Sequence, residues 1–192
     1  RSCDAGSGEL DAGYYDLLAS EARTAVFLAI AKGDIPREAW FHLGRKLVFS
    51  QGERTLLSWS GTMFEYLMPC LFMRTRPGTL LAESLRGAVR IQQAYGREHG
   101  LPWGISEAAY GARDSALNYQ YQAFGAPMLG LNRVWPDRIV VAPYASALAL
   151  MVEPSAAARN LEEMQAEGWT GRYGFYESVE FRQDGSARAA DG

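Results

Sequence analysis

The sequence predicts an all-α fold, and three observations support this prediction. Apolar residues recur at steps of three and four in several segments, which is the period of an amphipathic helix. The helical segments follow one another through short turns. Prolines stand at Pro36, Pro143 and Pro154, each where a helix would begin, and proline is favoured at the first helical position. Consecutive helices joined by short turns form helical hairpins.

The first predicted helix covers residues 14–31, where Leu17, Leu18, Val26 and Ile30 keep the helical spacing. Gly33 ends it, since glycine readily takes the left-handed conformation that closes a helix. A short helix is expected to follow from Pro36. The next segment, VFSQGERTLLSWSG, is interpreted as a turn flanked by short extended pieces.

Two further helices are predicted before the middle of the chain. Residues 62–74 are apolar nearly all round, so this helix should be buried. Pro69 stands inside it and should kink or divide it, because proline lacks the N–H that a helix interior needs. A long helix is expected over residues 79–99, after Pro77 and Gly78.

The second half of the chain begins with an irregular stretch. Residues 100–138 are rich in glycine, proline, asparagine and aromatic residues and have no sustained period. Long loops in compact domains are uncommon and usually carry function. Helices are predicted over 143–152 and 154–167, and residues 171–181 are interpreted as a loop leading to a short strand.

Composition excludes several classes of function. The 192 residues carry 19 Lys and Arg against 22 Asp and Glu, so there is no basic excess for binding nucleic acid. No stretch approaches the roughly 20 apolar residues of a membrane span. His42 and His99 are isolated and have no ligand spacing with the two cysteines. No phosphate-binding loop or dinucleotide fingerprint is present. We therefore expect neither a metal nor a cofactor.

Three glutamates have unusual neighbours. Glu21 lies among apolar helical neighbours, where burial would raise its pKa; the alternative is an ion pair with Arg23 or a more distant arginine. Glu65 lies between Phe64 and Tyr66 on a helix predicted to be buried. Its alternative is a structural hydrogen bond to a neighbouring element.

Glu107 follows Ser106 and precedes what is interpreted as a helical turn. Backbone N–H groups at a helix start favour an ionised carboxylate, and the alternative is a plain capping role. Two carboxylates in unlike environments are what glycoside hydrolysis or transfer requires. The aromatic surplus of 5 Trp, 10 Tyr and 8 Phe also fits sugar binding. The alternative for these rings is packing between helices.

Several segments in this order resemble a known family. They are YYDLLASEAR (14–23), AIAKGDIPREAWFHLGR (29–45), LLSWSGTMFEYLMP (56–69), PWGISEAAY (102–110), NYQYQAFG (118–125), APYASALALMVEP (142–154) and GRYGFYES (171–178). Together they resemble the glucoamylase-like domain of cyclic β-1,2-glucan synthases. The resemblance covers residues 9–181 and leaves 1–8 and 182–192 as flexible ends.

The resemblance implies a fold and an activity. The fold would be an (α/α)6 toroid around a central sugar groove, of which a chain this short supplies only a part. The activity would be retaining transglycosylation that closes linear β-1,2-glucan into a ring. The implied partners are the glucan and the rest of a large synthase polypeptide, with no nucleic acid. That enzyme would be associated with the bacterial inner membrane on its cytoplasmic side, with no membrane span in this chain.

The resemblance also implies site residues. Glu21 and Glu107 would be catalytic, and Glu65 would be a third carboxylate of the groove or its wall. Candidate substrate-binding residues are Tyr15, Trp59, Trp103, Tyr110, Tyr119, Gln120, Tyr121 and Phe124. Our hypothesis is a double displacement in which Glu107 is the nucleophile and Glu21 transfers the proton, with the reverse assignment of the two roles as the alternative. The alternatives are a β-1,2-glucan hydrolase and a glucan-binding module without catalytic activity.

Overall fold

A computed structural model describes residues 4–10, 12–132, 138–182 and 187–190. Its α-helices are α1 (Ala22–Lys32), α2 (Ala39–His42), α3 (Met63–Leu67), α4 (Leu80–His99), α5 (Pro143–Ala149) and α6 (Pro154–Ala166), and a 3-10 helix, Met68–Leu71, follows α3. Its strands are β1 (Leu47–Ser50), β2 (Glu53–Leu56), β3 (Ala108–Arg113), β4 (Tyr119–Gln122), β5 (Arg138–Val141), β6 (Thr170–Gly171), β7 (Gly174–Phe175), β8 (Ser178–Arg182) and β9 (Ala187–Ala190).

The predicted all-α class is therefore wrong. Within the described ranges the strands form four small antiparallel sheets, ordered β1-β2, β3-β4, β5-β8-β9 and β6-β7. The described residues form a mixed α/β structure and not a set of helical hairpins. The predicted extended pieces on either side of Gln51 are confirmed as β1 and β2, and the predicted short strand after residue 171 is confirmed as β8. Local periodicity missed β5, which pairs with β8 about forty residues later in the chain.

The first helix is shorter than predicted. It begins at Ala22, because the preceding segment pairs with the chain around Gly44 instead of coiling. Leu18 N donates to Gly44 O at 3.0 Å, and Gly44 N donates to Asp16 O at 2.7 Å. The predicted end is confirmed, since Gly33 closes α1 in the left-handed conformation with φ 81°.

The middle of the chain follows the predicted plan. Gln51 and Gly52 have positive φ at the turn between β1 and β2. The expected division at Pro69 is confirmed, since α3 gives way there to the 3-10 helix. The long helix is confirmed as α4, whose first turn is capped by the side chain of Thr79 and whose end is closed by Gly100.

One local prediction near the site is wrong. Glu107 does not begin a helix but directly precedes strand β3. The tertiary structure decides this, because Ala108 and Ala109 on β3 pair with β4. No helix N-terminus is therefore available to favour the ionised form of the Glu107 carboxylate.

The buried apolar residues of the described chain form two hydrophobic cores. The first joins α3, α4 and α5 and contains Met63, Leu67 and Leu85. The second joins the inner faces of β3, β5 and β8 to α6 and contains Val140 and Met164. The carboxamide of Gln92 on α4 bridges them, since it accepts from Ile105 N at 2.9 Å and donates to Ile105 O at 2.9 Å.

The predicted flexible ends are only partly described. Residues 4–8 form a turn at Asp4, and residues 187–190 form β9 against β8. Residues 1–3, 183–186, 191 and 192 lie outside the described residues. In the part of the chain that the structure covers, no helix is long and apolar enough to cross a membrane.

Candidate active site

The structure brings three glutamates into electrostatic contact with one another. Glu21 stands at the start of α1, Glu65 lies in α3, and Glu107 precedes β3. Burial raises the pKa of Glu107, and the negative charges of Glu21 and Glu65 raise it further. We call these three residues the carboxylate cluster. Segments far apart in sequence thus place three carboxyl groups around one site.

Glu65 is the most enclosed member of the cluster, with 3% of its surface exposed. Its Oε2 accepts hydrogen bonds from Ser58 Oγ at 2.8 Å and from Thr62 N at 3.1 Å. Its Oε1 accepts from Trp59 N at 3.1 Å, and Ser60 N lies 3.2 Å from both oxygens. Burial raises the pKa of Glu65, and these hydrogen bonds oppose the rise because they favour the charged form.

The hydrogen-bonded segment is residues 58–62, which we call the 58–62 loop. Ser58 N donates to Leu129 O at 3.0 Å, and Leu131 N donates to Ser58 O at 2.9 Å. Gly125 lies so close that a Cβ there would stand 2.0 Å from Ser60 O. The loop is therefore fixed on one side by Glu65 and on the other by the segment 125–132.

Glu21 is half-buried and accepts a hydrogen bond from the hydroxyl of Tyr15. The Tyr15 ring in turn stacks on the indole of Trp59, with centroids 5.9 Å apart. The pKa of Tyr15 is raised by burial, by its bond to Glu21 and by the charges of the other two cluster members. Tyr15 therefore stays protonated and acts as a hydrogen-bond donor.

The sequence offered an ion pair with Arg23 as the alternative explanation for Glu21, but the guanidinium of Arg23 bonds backbone carbonyls instead. Arg23 is 1% exposed, and its guanidinium donates to backbone carbonyls of Leu18, Ser20, Glu65 and Tyr66. Burial lowers its pKa, the penalty expected for a buried cation. These bonds tie the segment before α1 to α3, so Arg23 helps to fix the position of Glu21 directly before the helix.

Glu107 is half-buried and has tyrosine neighbours. The hydroxyl of Tyr121 hydrogen-bonds its carboxylate, which lowers the pKa of Glu107 against the larger effect of burial. Burial and the charge of Glu107 raise the pKa of Tyr121 to about 12. The hydroxyl of Tyr144 lies 2.7 Å from the backbone O of Glu107 and 2.8 Å from Ser106 Oγ.

The remaining predicted substrate-binding residues lie in other environments. Trp103 is 8% exposed and packs in the first core, and Phe124 is 2% exposed in the second. Tyr110 is half-buried, edge-on to Phe124 at 5.2 Å. The hydroxyl of Tyr119 accepts from Arg113, and Gln120 is exposed on β4. Of the eight, Tyr15, Trp59 and Tyr121 are the ones in contact with the cluster.

Sequence reasoning missed the reason for Glu65's position. Thr62 and Glu65 form a capping box, in which each side chain bonds the other residue's backbone N–H. The spacing Thr-x-x-Glu before an apolar run signals this motif and was readable in the sequence. Glu177 was also missed; its charge acts on the hydroxyls of Tyr121 and Tyr144. No local sequence pattern marks Glu177 as a site residue, because it reaches the site only through the position of β8, which it directly precedes.

A family model described as "Putative glucoamylase" matches residues 13–190, nearly the whole chain. The chain belongs to the Glycoamylase family. The resemblance seen in the sequence is thereby confirmed.

Among relatives of this Glycoamylase chain is the cyclic β-(1,2)-glucan synthase NdvB of Rhizobium meliloti (strain 1021), which is 50% identical over 175 residues. The match covers 91% of this chain and 6% of that protein, so the chain spans a small part of its relative.

Two solved structures share the fold. An endo-β-1,2-glucanase from Chitinophaga pinensis, in complex with sophorotriose and glucose, matches with a TM-score of 0.58 at 16% identity, over 89% of this chain and 43% of that one. A "putative glucoamylase" from Bacteroides fragilis NCTC 9343 matches with a TM-score of 0.60 at 18% identity, over 89% of this chain and 42% of that one. At these identities the likeness concerns the fold alone.

Proposed function

We propose that this chain carries out retaining transglycosylation on β-1,2-glucan and closes the linear chain into a ring. The observation that carries the proposal is the convergence of Glu21 and Glu107 on one site. A negative charge on Glu21 raises the pKa of Glu107, so the pair favours holding one proton, and a retaining reaction needs one protonated and one ionised carboxyl group. The substrate class rests on the 50% identical relative, whose name is that of a cyclic β-1,2-glucan synthase. The rest of such a synthase polypeptide is the proposed partner.

The reaction proceeds in two displacements. Glu107, whose ionised form is favoured by the hydrogen bond from the Tyr121 hydroxyl, attacks the anomeric carbon and forms a glycosyl ester. Glu21 gives its proton to the departing glycosidic oxygen. Glu21 then takes the proton of the glucan's own non-reducing-end hydroxyl. That oxygen attacks the same carbon, the ester bond breaks, and the β configuration is restored. One glycosidic bond breaks and one forms, so no water is consumed.

The neighbouring tyrosines suit this chemistry. Tyr15 donates to Glu21 and Tyr121 hydrogen-bonds Glu107, so each carboxylate has a phenol that fixes its orientation. Both phenols have raised pKa values and remain donors while the carboxylates change charge. Oriented groups of this kind lower the barrier because the reacting atoms need no further alignment.

The test is incubation of the chain with linear β-1,2-glucan, followed by mass spectrometry and a reducing-end assay. We expect products lighter than the linear glucan of equal length by one water, with no reducing ends. Glu21→Gln and Glu107→Gln should abolish them. Glu162→Gln, on the exposed face of α6, is the matched control and should leave them unchanged.

Other outcomes would overturn the proposal. Growth of reducing ends without rings would make the chain a β-1,2-glucan hydrolase. Tight glucan binding that survives both substitutions, without turnover by the parent chain, would make it a binding module. Equal activity of either Gln variant and the parent would remove that residue from the catalytic pair.

A further inference from the structure

Glu65 is a buried carboxylate that the proposed reaction does not use. A carboxylate offers about four lone-pair positions. Four donor groups occupy them here, namely the hydroxyl of Ser58 and three backbone N–H groups of the 58–62 loop. Little acceptor capacity is left for a sugar hydroxyl. The structure therefore gives this residue a task other than proton transfer or nucleophilic attack.

All four donors belong to consecutive parts of one short loop. The carboxylate thus sets the conformation of the loop around Trp59. The backbone N–H of Trp59 is one of the four donors. Charge-assisted bonds of this kind are about twice as strong as bonds between neutral groups. Replacing the carboxylate would leave several buried N–H groups unsatisfied, and the loop would have to move to satisfy them.

A movement of the loop has a direct route to Glu21. The Trp59 indole supports the Tyr15 ring, with an angle of 17° between the two planes. The Tyr15 hydroxyl in turn donates to the carboxylate of Glu21. A shift of Trp59 therefore displaces the phenol that orients Glu21. Misplacement of a reacting group by about 1 Å can cost a hundredfold in rate.

We propose that Glu65 is a positioning residue, which holds the 58–62 loop and so fixes the carboxylate of Glu21 through the stack of Trp59 and Tyr15. The importance of this for turnover rests on the proposed function. The structural coupling itself does not, and it can be measured without a substrate.

The coupling is tested by NMR on the chain labelled at the glutamate carboxyl carbon and the tryptophan indole nitrogen. In Glu65→Gln we expect shifts of both the Trp59 indole signal and the Glu21 Cδ signal. Losing the Glu65 charge can also act on Glu21 directly through space. The variant Tyr15→Phe separates this direct effect from the relayed one, because it keeps the stacked ring and removes the hydroxyl. In the Tyr15→Phe background, Glu65→Gln should move the Glu21 signal much less, because only the direct effect of the lost Glu65 charge remains.

A second variant covers the case in which Glu65→Gln does not fold. Ser58→Ala removes one donor to Glu65 and leaves all three charges in place. It should shift the Trp59 and Glu21 signals in the same direction by a smaller amount. Glu180→Gln is the matched control, because Glu180 is equally buried but bonds Gly111 N and Arg138. It should leave the Glu21 signal in place.

The proposal is overturned if a folded Glu65→Gln or Ser58→Ala variant leaves the Glu21 signal unmoved, or if the shift persists fully without the Tyr15 hydroxyl. With active protein, Glu65→Gln should lower kcat at least tenfold with little change in KM. If the NMR coupling holds and glucan is not turned over by the parent chain, the proposed function fails while the positioning by Glu65 stands.

Discussion

The rings of Tyr15 and Trp59 lie almost parallel, with centroids 5.9 Å apart and an interplanar angle of 17°. This contact joins the segment before α1 to the 58–62 loop. It also places a hydrogen-bond donor on Glu21, since the Tyr15 hydroxyl points to that carboxylate. The orientation of the Glu21 carboxylate therefore depends on the stacking of Tyr15 on Trp59.

Removing the aromatic ring at position 59 should lower the rate of the reaction more than replacing it with a smaller aromatic ring. In Trp59→Ala we expect kcat/KM on linear β-1,2-glucan to fall by about a hundredfold, because Tyr15 loses the surface that orients it. Trp59→Phe keeps an aromatic face and should lose much less. Initial rates of ring formation measure both. Parent-like rates in Trp59→Ala would show that Tyr15 is held without Trp59.

The pH dependence should report the hydrogen bond between Tyr121 and Glu107. A nucleophilic carboxylate must be ionised, so activity falls as the pH drops through the pKa of Glu107. The Tyr121 hydroxyl lowers that pKa, and Tyr121→Phe should raise it. The acidic limb of kcat/KM should therefore move to higher pH.

The matched control for this pH shift is Tyr119→Phe, on the same strand, because the Tyr119 hydroxyl bonds Arg113 instead. Its acidic limb should stay at the parent position. A Tyr121→Phe limb that moves to lower pH would contradict the assignment of the nucleophile to Glu107.

Azide should distinguish the roles of the two carboxylates. With an aryl β-glycoside of a short β-1,2-glucan, Glu107→Ala with azide should give the α-glycosyl azide, because azide replaces the nucleophile from the opposite face. Glu21→Ala should give the β-glycosyl azide, because azide attacks the glycosyl ester in place of the acceptor. NMR of the anomeric proton identifies the product. The reverse pattern would exchange the two roles.

The close approach at Gly125 should be essential for stability. A methyl group there would meet Ser60 O at 2.0 Å, which is backbone that cannot easily yield. We expect Gly125→Ala to lower the free energy of unfolding by at least about 2 kcal/mol. Gly78→Ala is the comparison, since alanine there would be strained by φ +73° but would meet nothing within 4 Å, whereas Gly125→Ala has the steric clash alone. Gly78→Ala should cost about 1 kcal/mol. Urea unfolding compares them, and equal losses would refute the steric account.

Helices whose apolar repeat continues over many residues and whose ends carry clear signals could be predicted from the sequence. The extent of α4 followed from its repeating apolar positions, and the division after Leu67 followed from Pro69. The extended segments β1, β2 and β8 could also be predicted, but β5 could not, because its pairing with β8 depends on residues far apart in the chain. The start of α1 was misplaced for the same reason, since Leu17 and Leu18 hold helical spacing but pair with the chain at Gly44.

By itself, the sequence determined which glutamates are unusual, since Glu21, Glu65 and Glu107 each stand among apolar or aromatic neighbours, and the order of its motifs determined the family. Only the tertiary structure decided what each carboxylate does. Hydrogen-bond donors and neighbouring charges set a carboxylate's state, and here they come from other segments. Tyr121 reaches Glu107 from the β3–β4 hairpin, while the 58–62 loop encloses Glu65. The sequence gives the identity of each carboxylate directly, but the groups that surround it come from distant segments and are brought together only by the fold.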